Sequence, residues 1–185
     1  MKIALILVFT LFLLKTKANG PSLNDQVNRE YRAAYYYDQL ANHFSKPDVA
    51  LLGFAKFFRS EAEEERKHAE KITEFMIKAG ETVDFKNVNL EGVPCFDKLS
   101  QTNSGYSGLE CALKVEKMNS QSILELSDHY ENVKKDHFYV HFLDGFIEEQ
   151  VESEYRLNTL MRRLKNGDDK ILEFLLDKEL LESKE

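Results

Sequence analysis

Residues 48–71 read DVALLGFAKFFRSEAEEERKHAEK, and this stretch decides the fold class of the chain. Apolar residues recur in it at intervals of three and four, and the same spacing continues to Ala79, just before Gly80. This period is typical of an amphipathic helix that buries one face. We therefore predict a long helix that has Asp48 as its N-terminal cap and that ends at Gly80.

The same helical spacing recurs along the rest of the chain, where Gly and Pro are scarce over long stretches. It predicts a first helix from Ser22, which caps with Asp25, to Lys46 and Pro47; a third from about Ser107 to residues 134–136; a fourth from Asp136 to Asn166 and Gly167; and a short fifth within residues 168–185. Residues 81–107 are rich in turn-forming residues and are interpreted as one long connection. We predict an all-α fold, a four-helix up-down-down-up bundle with one long crossover between helices two and three and a short fifth C-terminal helix.

The N-terminal residues differ from the rest of the chain. A lysine near the start precedes an apolar run from Ile3 to Leu14, and small residues follow at the places expected for cleavage after Ala18. This is the layout of a secretory signal peptide, and the run is shorter than the about 20 residues of a membrane span. We predict a signal peptide at residues 1–18, one domain at residues 19–185, a secreted or secretory-pathway location and no membrane attachment after cleavage. An uncleaved anchor or a buried N-terminal helix is the alternative.

The charge and the cysteines narrow the choice of function and compartment. The formal net charge is -7, which argues against nucleic acid as the main partner. An oxidising compartment permits Cys95 and Cys111 to form a disulfide, and two unpaired thiols are the alternative.

The acidic part of the second helix contains one histidine at a spacing that suits a metal ion. Glu65 and His68 lie three residues apart, so their side chains share one helix face and can bind the same ion. An acidic helix also produces this pair by chance on a solvated face. The other predicted helices carry polar residues near their apolar stripes: Glu30 and Tyr37, Glu116, and Glu149 with Gln150. Together these residues indicate a buried site, because buried carboxylates are costly unless they are paired or metal-bound.

The chain resembles the ferritin family in five segments, which follow in the family's order: VNREYRAAYYYDQLANHF, DVALLGFAKFFRSEAEEERKHAEK, LECALKVEKMNSQSILEL, FIEEQVE and ILEFLLDKEL. The resemblance covers almost the whole chain from about residue 22 onward. It implies a ferroxidase centre that binds two iron ions, with Tyr37 lining it. The six residues that match this centre are Glu30, Tyr37, Glu65, His68, Glu116 and Gln150.

The resemblance also implies a role for each metal-binding position. Glu30 would bind the first iron, Glu65 would bridge both irons, His68 would complete the first site and Glu116 would serve the second. Gln150 would hydrogen-bond a bound water or oxygen species. Carboxylate and imidazole are suitable ligands for iron. The implied reaction is oxidation of Fe(II) by O2 or peroxide, followed by mineral growth inside a shell of twenty-four ferritin subunits, as a homo-oligomer or a hetero-oligomer.

The other charged residues of residues 61–71 receive different roles from the same resemblance. Glu64 and Glu70 match positions that face the shell cavity and help to nucleate mineral. Lys67 stands where the family often has a third glutamate, which predicts weaker nucleation. We expect Glu61 and Glu63 either to be solvated or to lie beside the centre without binding metal.

The resemblance does not decide which residues line the iron entry channel. Family shells have channels lined by two acidic residues, three apart, at the start of the fourth helix. Counting back from Gln150 without a gap gives Val140 and Leu143, which would make an apolar pore. A one-residue deletion gives His141 and Asp144, the pair that we favour, although a deletion inside a helix requires a local bulge.

Two other functions compete with a ferroxidase. One is a storage or yolk-type ferritin subunit with little oxidase activity of its own that co-assembles with active subunits. The other is a purely structural helical bundle that binds no metal.

Overall fold

The computed structural model describes residues 20–164 and 169–183, and this part of the chain contains helices and no strand. The five α-helices are α1 (Leu23–Phe44), α2 (Leu52–Lys78), α3 (Gly105–Asp128), α4 (His137–Arg163) and α5 (Lys170–Glu182). The predicted fold class is confirmed: four long helices, one long crossover between α2 and α3, and a short C-terminal helix. The predicted signal peptide and the predicted stop at Asn166 and Gly167 lie outside the described residues. No helix in the described part has the length and apolar character needed to span a membrane.

The start of α1 follows the sequence prediction, whereas the start of α2 does not. The Ser22 hydroxyl oxygen accepts a hydrogen bond from the Asp25 backbone N–H at 3.2 Å, which satisfies one of the free amides at the helix end. The predicted Asp48 cap is wrong, because α2 begins only at Leu52 and has no capping side chain from its own N-terminal segment. The chain turns first at Ala50, which has the left-handed φ of 51°.

Helix α5 supplies the cap that the N-terminal end of α2 lacks and adds a hydrogen bond at the N-terminal end of α3. The Asp177 carboxylate accepts a hydrogen bond from the Phe54 backbone N–H at 3.0 Å. The Glu173 carboxylate accepts one from the Gly105 backbone N–H at 2.7 Å. Both carboxylates therefore lie against the positive end of a helix dipole. This contact is close, since a Cβ atom added to Gly53 would lie 1.7 Å from the Asp177 carbonyl oxygen.

The crossover is fastened to α3 near its end. Its last part forms a 3-10 helix, Phe96–Gln101, and α3 starts at Gly105 because Ser104 and Ser107 form a reciprocal capping box. Cys95 and Cys111 are joined in a disulfide with a Cα–Cα distance of 5.8 Å, so the pairing that the sequence left open is present. A π-helical turn, His129–Lys134, connects α3 to the Asp136 cap of α4.

The interior of the bundle contains two apolar clusters with polar residues between them. On α1, Val27 belongs to one cluster and Ala33 to the other, and Glu30 lies between them. On α2, Ala62 and Ala69 flank Glu65 in the same way. On α3, Val115 and Ile123 flank Glu116, and on α4, Phe146 and Leu157 flank Gln150. All four long helices therefore contribute to one buried polar layer.

Candidate metal centre

The buried polar layer brings together the site residues that we predicted from the sequence on four separate helices. Glu30, Glu65, Glu116 and Gln150 are all buried, and each comes from a different long helix. His68 is half-buried one turn after Glu65. These positions follow from helical phase, because a residue three or four positions from an apolar neighbour points to the same interior.

Three residues of the layer have the geometry of a metal-binding group. One ligand atom from each of Glu30, Glu65 and His68 lies within 4.8 Å of the other two. Two carboxylates and an imidazole form a donor set that accepts iron and other first-row divalent ions. The E-x-x-H spacing on α2 therefore does bring its two side chains to one site, together with Glu30 from α1.

Glu116 lies in the same layer but is turned towards other partners. The Tyr37 hydroxyl donates a hydrogen bond to Glu116 Oε1. The Gln150 amide donates to Glu116 Oε2 at 3.0 Å and to the Glu116 backbone carbonyl at 3.2 Å. Tyr37 and Gln150 thus hold the carboxylate that the resemblance assigns to a second ion.

The layer is electrostatically unfavourable without a cation. Burial, the charges of Glu116 and Glu30, and hydrogen bonding raise the pKa of Glu65 well above its usual value. Burial also raises the pKa of Glu116, although the hydrogen bonds from Tyr37 and Gln150 oppose this effect. Buried carboxyl groups of this kind need a proton or a metal ion. A cation that entered this layer would therefore have to displace the protons of these carboxyl groups.

Two amide side chains of the layer were missed in the sequence. The Asn119 amide donates to Glu30 Oε2 at 2.8 Å and to Glu65 Oε2 at 3.3 Å. The Gln26 amide donates to Glu30 Oε1 at 2.7 Å. Their spacing could have predicted them, because Asn119 follows Glu116 by three residues and Gln26 precedes Glu30 by four, so each shares a helix face with a site residue.

Glu149 is a further neighbour of the centre that the sequence placed beside Gln150 without a role. Its carboxylate oxygen Oε2 lies 3.1 Å from His68 Nε2, and Oε1 lies 2.9 Å from Lys71 Nζ. Glu149 thus approaches the imidazole from the side opposite to Glu65. The approach is a charge contact and not a hydrogen bond, because Glu149 Oε2 has no hydrogen-bond partner in the described part of the chain.

Of the two environments expected for Glu61, solvation is wrong. Glu61 is 4% exposed, and its carboxylate accepts hydrogen bonds from the Arg156 guanidinium, one of them at 2.6 Å. The reason is helical phase, since Glu61 lies one turn before Glu65 on the same face of α2. Burial raises the pKa of Glu61 to about 7, against the opposing effect of Arg156. Glu63 is exposed, as expected, and pairs with Arg66 at 3.0 Å.

A large cleft opens between α2 and α4 beside the centre. It has a volume of about 1070 Å³, and its walls include Glu64, Glu65 and His68 from α2 and Glu149 from α4. Glu64 forms an ion pair with Lys67 at 2.7 Å, so its charge is partly neutralised. Glu70, the other predicted nucleation residue, is also exposed on α2 but is not part of the cleft wall.

The two candidate channel pairs differ in exposure. The side chains of His141 and Asp144 are 91% and 58% exposed and lie 4.0 Å apart at their nearest charged atoms. Leu143 is fully buried in the core of the subunit, and Val140 is partly buried against the same cluster. Helix α4 is regular from His137 onward, so the local bulge that a one-residue deletion requires does not lie within it. The π-helical turn, His129–Lys134, precedes the helix.

Comparison with known proteins places this architecture among related chains. The family model described as the ferritin-like domain matches residues 22–166. The chain is 35% identical to soma ferritin from Lymnaea stagnalis over 166 residues, which cover 87% of this chain and 89% of that protein. It is 35% identical to ferritin-1 heavy chain from Schistosoma mansoni over 159 residues, which cover 86% and 88%, respectively. It is 32% identical to ferritin from Pacifastacus leniusculus over 160 residues, which cover 85% and 84%.

Proposed function

Because this chain belongs to the ferritin family, we propose that it stores iron and oxidises Fe(II) to Fe(III) within its own helical bundle. The observation that carries this proposal is the buried group of Glu30, Glu65 and His68, whose ligand atoms converge within 4.8 Å. The group lies between two apolar clusters, where an uncompensated set of carboxylates is unfavourable. A bound cation removes that cost.

The residues of the layer divide the work of binding two Fe(II) ions. Glu30 and His68 bind the first ion, Glu65 bridges to the second, and Glu116 binds the second. Each Fe(II) gives one electron to O2, and two protons complete the reduction to hydrogen peroxide. Gln150 contacts water or the oxygen species beside Glu116, whose carboxylate it already holds at 3.0 Å.

Oxidised iron leaves the centre towards the cleft between α2 and α4. Glu64 and Glu70 serve as nucleation sites for ferric mineral, and the Glu64–Lys67 ion pair makes nucleation weaker. Fe(II) enters past His141 and Asp144, which are exposed near the start of α4. Alanine at both positions should slow iron uptake by assembled shells, and unchanged stopped-flow uptake would reject this entry route.

The chain acts as a subunit of a twenty-four-subunit shell in the secretory pathway or outside the cell. Residues 1–18 direct it there as a signal peptide. The Cys95–Cys111 disulfide supports this location, because such bonds persist in oxidising compartments. Sizing of the purified assembly and N-terminal sequencing of the mature protein test the two statements separately.

The main test replaces the two α2 ligands together, as Glu65→Gln with His68→Ala. The rapid phase of Fe(II) oxidation should disappear while the assembled mass is unchanged. Glu74→Gln is the matched control, because Glu74 lies on the same helix and its side chain is exposed. Retention of rapid oxidation in the double variant would reject the ferroxidase centre.

A storage or yolk-type subunit with little oxidase activity is the second candidate function. The Glu64–Lys67 ion pair does not distinguish the two candidates. The two candidates differ in the wild-type homopolymer. Oxidation no faster than in protein-free buffer, together with retained iron, would establish the storage subunit. An iron-free protein whose stability does not change with metal would instead leave a structural bundle.

A further inference from the structure

Glu30 is held by amide groups on both of its carboxylate oxygens. Gln26 donates to Oε1 at 2.7 Å, and Asn119 donates to Oε2 at 2.8 Å. Gln26 is fixed in turn by the Ser122 hydroxyl, which donates to its carbonyl oxygen at 2.7 Å. Helix α3 therefore contacts the Glu30 carboxylate twice, directly through Asn119 and indirectly through Ser122.

Asn119 also reaches the second carboxylate of the ligand group. Its NH2 group lies 3.3 Å from Glu65 Oε2, so its two hydrogens can serve Glu30 and Glu65 at the same time. When both groups are ionised, as metal binding requires, the opposite orientation of the amide would place its carbonyl oxygen against two carboxylates, which is repulsive. The amide orientation is therefore fixed by its partners.

The choice of a neutral donor at residue 119 is informative. Neighbouring core positions of α3 are apolar, as at Val115 and Ile123, and a buried amide without partners costs free energy. A lysine or arginine in this place would pair with the carboxylates but would also repel an incoming cation. An amide orients the two carboxylates and adds no net charge to the site.

We propose that Asn119 is a positioning residue that holds Glu30 and Glu65 at the separation required by the first metal ion. This inference rests on the proposed function, since it concerns the same centre. Asn119 contacts the two carboxylates that would hold the ion, so its effect would be on metal affinity and coordination geometry. Partners of this kind change metal affinity by about 10- to 100-fold when they are removed.

The test is an anaerobic titration of the metal-free assembly with Fe(II), and with Co(II), whose visible absorption reports its coordination. Asn119→Leu keeps the approximate volume and removes both donors. We expect about 10- to 100-fold weaker binding at the first site and an altered Co(II) spectrum. Gln121→Leu is the matched control, because Gln121 is exposed on the same helix and should leave both readouts unchanged.

Asn119→Thr covers the case in which the leucine variant does not assemble. Its hydroxyl keeps one donor, so we expect a smaller loss of affinity with a similar direction of spectral change. Wild-type affinity and a wild-type Co(II) spectrum in an assembled variant would overturn the inference. Failure of the wild-type protein to bind either ion would reject the proposed function, and this inference with it.

Discussion

Removal of the Cys95–Cys111 disulfide should loosen the end of the crossover and leave the metal layer intact. The bond closes a loop with a sequence separation of 16 residues. In the chain-entropy description, a loop of this size is worth about 3 kcal/mol. Since about 1.4 kcal/mol corresponds to a factor of ten, local opening should become roughly 100-fold more frequent.

Hydrogen exchange of the assembled protein measures this opening directly. The backbone amides of Phe96, Lys98 and Thr102 are suitable probes, because each donates to a carbonyl three residues earlier within the crossover. Their exchange should accelerate by roughly 100-fold in the Cys95→Ser, Cys111→Ser double variant. Addition of a reductant to the wild type should produce the same change.

The control lies within the same experiment. Amides around the buried Leu157 of α4 should exchange at the same rate in both proteins, because they lie in the bundle core. The reductant should have no effect on the double variant. Equal exchange of the crossover amides in both proteins would refute the reasoning, as would two free thiols in the denatured, unreduced wild type.

Two further predictions concern stability. The pKa of Glu61 is about 7 in the folded protein, against an ordinary value of 4.5. Between these two pH values the folded protein holds a proton on Glu61 that the unfolded chain has lost. The free energy of unfolding therefore falls as the pH rises from 4.5 to 7. Glu61→Gln cannot ionise at this position, so its free energy of unfolding relative to that of the wild type should rise by about 1–3 kcal/mol from pH 5 to pH 8. Metal-free thermal melts measure this difference, and parallel pH curves for the two proteins would contradict the prediction. Gly53→Ala should cost about 1–3 kcal/mol, because its Cβ atom would meet the Asp177 carbonyl oxygen at 1.7 Å and force α5 away from α2. Gly145→Ala in α4 is the control, since its Cβ atom would meet nothing within 4 Å. This change should raise the melting temperature, because alanine favours a helix more than glycine does. Equal effects of the two substitutions would reject the close contact between Gly53 and Asp177.

The helices and the ligand group were predictable because they depend on local periodicity. The apolar spacing of α1 to α5 follows from a period of 3.6 residues, and the Ser22 cap follows from residues three positions apart. Glu65 and His68 were found for the same reason. The start of α2 was not predictable in this way, since its cap is Asp177, more than 120 residues later in the chain.

The charged residues of α2 show where local reasoning ends. Glu61 and Glu63 are both glutamates within one acidic run, yet one is buried against Arg156 and the other is exposed. The difference depends on helical phase and on a partner from α4, which composition does not reveal. Asn119 was missed because its role is defined by two carboxylates that reach it from other helices.

The capping of α2 and α3 by α5 has a consequence for the order of biosynthesis. Glu173 and Asp177 are translated after both of the helices whose amides they satisfy. A nascent chain that ends at residue 169 therefore has the long helices but exposes two of their N-terminal ends to solvent. The bundle becomes fully closed only when Glu173 and Asp177 have emerged from the ribosome and packed against α2 and α3, and proteolysis should show residues 52–55 and 105–108 protected only from that point.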